Sequence, residues 1–450
     1  MHVKGDLSGV LAESLCIGCG ACAIADPTVE LRLDPTKLIY EPSHASNADA
    51  AAVCPAVQVD FAGLQRTIFP GQTPDEFGVV HSVMLAQSTN EDRNTKASSG
   101  GLIKELLLHH LAQPDIDGVI ALSHVDGLDF QPTLVTEPEQ VDRLPGSIYH
   151  NLAQPRALEL LRANEGRFVL VAIPCQLEGI WQYVMTHEPH LKDRIATTIG
   201  LLCGWQYSHH AIRAISQFEG VDPDAVTDIS YRGGGPVGKL RITTPAKSVA
   251  VSRRVSFGYQ VAFDRSFNTP RCHLCINHSN FLADIVVGDA WLPSTVMTKT
   301  GISLLINRSP AADATIRELE AKGRLKFSEV TKAEIEESQT RRVIFGDFAY
   351  AYAEHLDALG KHRPDMVGPN RAVARLSDEK EVAFFRRELE RKLELQWAGR
   401  YRYLWARKAT KELRRFVMRY VDWFLVRVVK IKSLLGRRQE VPKEKISIFR

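Results

Sequence analysis

From about residue 79 to residue 202, short apolar runs alternate with segments whose apolar positions recur every three to four residues. Residues 79–87 read as a strand, Leu102–Leu111 as a helix and residues 117–122 as a second strand. The alternation continues with a helix over 153–164, a strand over 168–173, a helix over 177–185 and a strand over 197–202. Strands apolar at nearly every position are those buried on both faces of a sheet, so this stretch predicts α/β texture. Between residues 226 and 263 the pattern changes to short alternating segments with glycines, which predicts antiparallel β structure. Residues 283–287 form one more buried strand, residues 316–323 and 332–339 read as helices, and beyond Arg342 the chain reads as mostly helical and increasingly basic.

Ahead of this region, residues 15–69 carry cysteines and little long periodicity, and Phe69-Pro70-Gly71-Gln72-Thr73-Pro74 reads as a linker. No internal repeat or low-complexity tract is present. The 450 residues suggest two to four units, and 44% apolar with 24% charged residues is ordinary for a globular protein. A net charge of +3 gives no case for nucleic-acid binding. Eight cysteines are too few for a disulfide scaffold of this size, the N-terminus lacks the apolar core of a signal peptide, and no apolar stretch reaches spanning length. A reducing cytoplasm is the expectation, where grouped cysteines point to metal or catalysis.

Cys16-Ile17-Gly18-Cys19-Gly20-Ala21-Cys22 sets three thiolates at intervals of three. A tight loop of this spacing wraps one cuboidal cluster, and small intervening residues let backbone amides approach its sulfides. Bacterial ferredoxins complete such a run with a distant Cys-Pro, and Cys54-Pro55 supplies one. The competing reading is structural zinc, which ordinarily pairs two separated hooks and suits overlapping ones poorly. The second group is looser: the hook Cys272-His273-Leu274-Cys275, with Cys175 and Cys203 each just past an apolar strand-like run. Neighbouring parallel strands end on one edge of a sheet, so both thiols could face a site that the hook completes. The residues alone leave a second cluster, zinc, inert core cysteines and a nucleophilic Cys175 all open.

Lys96-Ala97-Ser98-Ser99-Gly100-Gly101 runs into the Leu102–Leu111 helix, an arrangement suited to a flavin phosphate or ring carbonyl, or simply to a serine N-cap. Gly233 to Leu240 matches the spacing of a phosphate-binding loop, but Leu240 stands where a magnesium-binding hydroxyl belongs and a strand follows, so an NTPase is rejected. No dinucleotide fingerprint is present. Asp289, beside Gly288 and Trp291 at the end of a buried strand, could face a cofactor pocket or cap a turn. Asp289 and His150 are the candidates for a proton donor, and no catalytic residue is assigned.

In order, the Cys16–Cys22 run with Cys54-Pro55, Ser98 to Gly101, Pro174-Cys175-Gln176, Cys203-Gly204, Cys272 to Cys275 and Ala283-Asp284-Ile285 through Gly288-Asp289-Ala290-Trp291 resemble the family of coenzyme F420 hydrogenase/dehydrogenase beta subunits. That family includes 7-hydroxymethyl chlorophyll a reductase and the ferredoxin-dependent divinyl chlorophyllide reductase. The likeness covers roughly two thirds of the chain on motif order and spacing and fades after about Pro310. It implies FAD and two [4Fe–4S] clusters, one held by Cys16, Cys19, Cys22 and Cys54, the other by Cys175, Cys203, Cys272 and Cys275. It also implies that Ser98, Ser99, Gly100 and Gly101 approach the flavin, and Asp289 joins them as a cofactor-binding candidate on its own position at a strand end.

The expected fold is a mixture of α+β and α/β: a ferredoxin-like [4Fe–4S] module over 1–70, an α/β flavin-binding core over 71–165 and 166–345, a helical segment over 346–396 and a basic amphipathic helical tail over 397–450. The tail combines Arg414, Arg415, Arg419 and Arg427 with an apolar stripe through Val417, Val421, Phe424 and Val428. It suits either an anionic membrane surface at the inner face or packing on its own domain or a partner. The functional expectation is an oxidoreductase passing single electrons from a donor such as reduced ferredoxin through its clusters to FAD, for two-electron reduction of an organic substrate. The alternatives are an electron-transfer subunit of a larger redox complex and a zinc-stabilised binding protein at a membrane surface.

Overall fold

The computed structural model describes residues 6–233, 238–252, 267–295, 298, 300–376, 378–384, 386–387, 390, 413 and 417. The expected basic tail over 397–450 lies outside the described residues, apart from two isolated positions.

The central sheet has eight strands among the described residues: β1 (Ser82–Ser88), β2 (Gly118–Asp126), β3 (Asp129–Val135), β4 (Phe168–Ala172), β5 (Ile195–Leu201), β6 (Ile285–Asp289), β7 (Ser303–Asn307) and β8 (Leu325–Val330). Their order is β8-β1-β7-β6-β5-β4-β2-β3. The four central strands β6, β5, β4 and β2 are parallel, and antiparallel strands extend both flanks. The β-strand period of two sends alternate residues to opposite faces. Val119, Val169, Ile199 and Ile285 join one apolar layer, covered by α1 (Leu102–Leu111) and α4 (Pro310–Ala321). Ile120, Leu170, Val286 and Leu304 join the other, covered by α2 (Arg156–Ala163) and α3 (Pro174–Thr186).

The expected α/β alternation is present, with α3 beginning three residues earlier than its periodicity suggests because Pro174 occupies the first helical turn. Three strands have no counterpart in the sequence pattern. β3 and β8 are the sheet's two edges, partly polar, and β3 carries Pro132, which an edge strand tolerates. β7 is buried throughout, and so short an apolar run has no period to distinguish strand from helix. The antiparallel expectation over 226–263 is met as far as Ser252 by a separate sheet of Asp228–Ser230, Lys239–Thr243 and Ser248–Ser252, and residues 253–263 lie outside the described residues.

On the α2–α3 face lies the N-terminal segment, with short helices at Ala21–Ala25 and Ala48–Ala52 and a hairpin pairing Leu31–Leu33 with Tyr40–Pro42. Its Ile17, Cys19, Ala21 and Val53 share the apolar layer of α3, which is therefore enclosed between sheet and N-terminal segment. The chain beyond residue 342 returns to this segment: Asp365–Met366 pairs with Gln58–Val59, and Leu356 packs among Leu7, Leu15, Cys16, Cys22 and Cys54. The expected helicity there holds for Asp347–Ala358, whereas residues 359–376 are mostly irregular, broken by Gly360, Pro364, Gly368 and Pro369.

One buried cation ties together the segments that lead into β1 and β6. Arg308, just past β7, is fully buried and donates from Nε to the Asn280 carbonyl at 3.2 Å, from Nη1 to Phe77 and Val79 at 3.0 and 2.5 Å, and from Nη2 to Ser279 at 2.7 Å. Desolvation pulls its guanidinium down to about 9, yet the group stays charged at neutral pH. Arg308→Met removes every donor at once, and an orphaned buried acceptor costs about 1–3 kcal/mol. Urea unfolding is expected to show a loss of about 3 kcal/mol or more, and a loss below about 1 kcal/mol would contradict the role of Arg308 as a clip.

Candidate functional site

The Cys16–Cys22 loop is moulded by two glycines in left-handed conformation. Gly18 has φ +75° and Gly20 φ +82°, and an added Cβ would meet the Leu152 carbonyl at 1.9 Å or Pro155 at 2.4 Å. The loop thus presses against residues 151–155, and the Gln154 amide donates to the Gly18 carbonyl at 2.8 Å. Cys22 lies in the helix Ala21–Ala25, and Cys54 follows the helix Ala48–Ala52. All four thiols are buried and free, and Cys54 is close enough to interact electrostatically with Cys16, Cys19 and Cys22. Burial pushes each thiol up, Cys54 to about 11 and Cys19 to about 12. The Gly18 amide reaches Cys16 Sγ at 3.4 Å.

The second four converge as the strand-end argument expects. β4 and β5 are parallel neighbours, with Cys175 in the first turn of α3 after β4 and Cys203 two residues past β5. Cys272 and Cys275 come from the turn Pro270–Leu274 and the residue after it. Cys175 interacts electrostatically with Cys203, Cys272 and Cys275. The Gln206 amide donates to Cys272 Sγ at 3.2 Å, and Thr269 Oγ1 lies 3.1 Å from the same sulfur. Burial raises the Cys175 thiol, the opposite of what an activated nucleophile requires. Among the described residues, no group of three or more His, Cys, Asp or Glu is arranged to hold a single metal ion.

Helix α3 connects the two quartets, a link that the sequence pattern does not announce. Cys175 begins it, and one turn later Gly179 faces the first quartet so closely that a Cβ there would lie 2.7 Å from Cys19 Sγ. Glu178, 0% exposed, pairs with Arg271 Nη2 at 3.4 Å and accepts from Asn277 Nδ2 at 2.8 Å. Arg271 Nη2 also donates to the carbonyl of Pro55, next to Cys54, at 3.4 Å. Signals for these residues exist: an acid and a glycine inside a largely apolar helix, and an arginine directly before the hook.

The loop Ser98 to Gly101 is held against β7 and β6. Ser99 Oγ donates to the Ile302 carbonyl at 3.0 Å and lies 3.5 Å from the Gly288 carbonyl, while the Gly100 amide donates to Ser303 Oγ at 2.9 Å. Ser98 Oγ accepts from the Ser147 amide at 3.3 Å, and Gly101 is the left-handed cap of α1. Glu105, buried between Arg93 and Arg324, braces the loop's approach from α1. Asp289 ends β6 in an ion pair of 2.5 Å with Arg232, whose guanidinium lies 5.8 Å from the Trp291 ring centre. The structure therefore brings the Ser-Gly loop and β6 together at the sheet edge that also carries Cys175 and Cys203. His150 lies elsewhere, buried between Tyr231 Oη at 2.5 Å and the Leu128 carbonyl at 2.7 Å, and burial keeps it neutral.

Known proteins resemble the chain in sequence and in fold. Two family models, for the N-terminal and C-terminal parts of the coenzyme F420 hydrogenase/dehydrogenase beta subunit, match residues 83–159 and 166–333, together more than half the chain. The beta subunit of the coenzyme F420 hydrogenase of Methanosarcina barkeri is 23% identical over 48% of this chain and 74% of its own length. That of Methanococcus voltae is 26% identical over 50% and 79%. A component of the F(420)H(2) dehydrogenase of Methanosarcina mazei is 22% identical over 66% and 82%. In fold, a chain of the F420-reducing [NiFe] hydrogenase complex from Methanosarcina barkeri superposes with a TM-score of 0.50 at 18% identity, covering 66% of this chain and 98% of that one. With both models matched in order across the sheet and the second cysteine quartet, the chain belongs to the family of coenzyme F420 hydrogenase/dehydrogenase beta subunits.

Proposed function

We propose that the chain is an electron-transfer subunit of an oxidoreductase complex, with one [4Fe–4S] cluster in each cysteine quartet. The observation that carries the reading is the single helix α3, which begins with Cys175 of one quartet and packs Gly179 on Cys19 of the other. Relatives named as subunits of a hydrogenase and a dehydrogenase support a catalytic partner on another chain.

The residues fit such clusters. Cys16, Cys19, Cys22 and Cys54 would hold the first, and Cys175, Cys203, Cys272 and Cys275 the second. Buried thiols resist ionisation, so four together call for a cationic centre that takes them as thiolates. Beside the second quartet, Arg271 Nε is a buried donor without a hydrogen-bond partner, the complement of an acceptor-rich sulfide core. FAD is the proposed exchanger between one and two electrons, lying where Ser98, Ser99, Gly100, Gly101 and Asp289 meet at the end of β6. Ser99 and Ser303 fix the loop from behind, and the apolar layers around α3 exclude water from the path between the quartets. Residues 1–70 would form the ferredoxin-like module, 71–165 and 166–345 the flavin core with the second cluster, and 346–396 a cover that is helical over Asp347–Ala358, with the 397–450 tail left to a partner or a membrane surface.

A self-contained reductase, fed by a donor such as ferredoxin and acting on an organic substrate, is the second reading. It is favoured by the position of the first quartet, which lies outside residues 83–159 and 166–333 matched by the family models.

Anaerobic isolation from the native source, with iron, sulfide, zinc and flavin analysis, is expected to give about eight irons per chain and co-elution with a second redox subunit. A colourless chain with zinc in place of iron would contradict the reading, and a lone chain that reduces a substrate would favour the second one. Gly179→Ala is expected to lose about half the iron, the share of the first quartet, because its methyl displaces Cys19. Gly204→Ala, beside Cys203 but with nothing within 4 Å of the added methyl, should keep it all. Equal iron in the two variants would count against the close packing of α3 on the first quartet.

A further inference from the structure

The strongest unexplained feature is the ion pair of Arg271 and Glu178, whose side chains are 2% and 0% exposed. Burying two charges is costly, and apolar residues of similar volume often stabilise as well or better. Its geometry is not that of a strong structural bridge: one contact of 3.4 Å, with Arg271 Nε left without a hydrogen-bond partner. Its position is distinctive. Arg271 adjoins Cys272 in the chain and reaches the carbonyl of Pro55 beside Cys54, while Glu178 lies in α3 between Cys175 and Gly179, which packs on Cys19.

Resting on the proposal that both quartets hold clusters, we infer that the Arg271–Glu178 pair sets the spacing between the two clusters' reduction potentials. The two charges bear unequally on the two sites. Glu178 interacts electrostatically with Cys175, Cys203 and Cys275 of the second quartet and, in the first, with Cys19. Arg271 interacts with Cys175, Cys272 and Cys275 of the second and with Cys54 of the first. A cluster held by either quartet would gain one negative charge on accepting an electron from a one-electron donor such as a reduced ferredoxin. A fixed cation nearby favours that gain and a fixed anion opposes it, most strongly where water is excluded. Asn277, two residues past Cys275, holds the Glu178 carboxylate in place through Nδ2 at 2.8 Å. The hook that supplies two sulfurs thus also supplies both the cation and the orientation of the anion.

The test is an EPR-monitored redox titration of the reconstituted full chain, preceded by iron analysis. Glu178→Gln keeps the shape and an acceptor for Asn277 while removing the anion. It is expected to raise the second cluster's midpoint by about tenfold in the reduction equilibrium, which is 59 mV for one electron, and the first by less. Arg271→Gln is expected to move the same midpoint the opposite way, and Arg271→Lys to leave it near wild type. Opposed shifts are not produced by a merely structural pair. Glu178→Gln with full iron and midpoints that stay put, move together or fall would overturn the inference, and this holds even where Arg271→Gln fails to fold. Fewer than two clusters in the wild-type chain would overturn the underlying reading, and the inference with it, before any titration begins.

Discussion

The arrangement depends on one close approach, that of helix α3 to the first cysteine quartet at Gly179. From Cys175 to Gly179 is one helical turn, an axial rise of about 6 Å. Side-chain volume at residue 179 would force the N-terminal segment away from the sheet, because a Cβ there meets Cys19 Sγ at 2.7 Å. The helix can be buried on both sides only because the sheet covers one and the N-terminal segment the other. The carboxyl edge of the parallel strands then brings Cys175, Cys203 and Asp289 to one side of the molecule, the usual place for ligands in open α/β sheets.

Buried charge follows the same plan. Arg308 satisfies backbone carbonyls of the two segments that flank β7, so it fixes the loop between the hook and β6. Arg232 pairs with Asp289 at the end of β6. Arg271 and Glu178 lie between the quartets. Glu105, with Arg93 and Arg324, braces the helix that follows the Ser-Gly loop. These groups stand where the chain changes direction around the sheet edge, and the apolar layers fill the remainder.

Much of this is legible in the sequence where the signal is local. The grouping of Cys16, Cys19 and Cys22 is legible because intervals of three keep the thiols along one tight loop. Cys175 and Cys203 can be matched by noting that each follows a buried strand, since parallel neighbours share an edge. What escapes depends on partners distant in the chain. Gly179 inside a helical pattern reads as a small propensity cost, and only the packed N-terminal segment reveals why no methyl fits. Glu178 and Arg271 are 93 residues apart, with nothing in either neighbourhood to announce the other. Ser99 and Gly100 read as an anion loop or a serine N-cap, with no sign of their hydrogen bonds to Ile302 and Ser303, because β7 is too short an apolar run to be recognised as a strand. The edge strands β3 and β8 are partly exposed, so their patterns lack the apolar continuity that marks the centre.

The most direct test of the proposal that each quartet holds a cluster, with α3 between them, is the EPR spectrum of the fully reduced chain. Paramagnetic centres on either side of one helix couple through space, so the spectrum is expected to be split by spin coupling and to collapse to a simple one when Cys19→Ser removes the first centre. Two independent, unsplit signals from a chain with its full iron complement would contradict it.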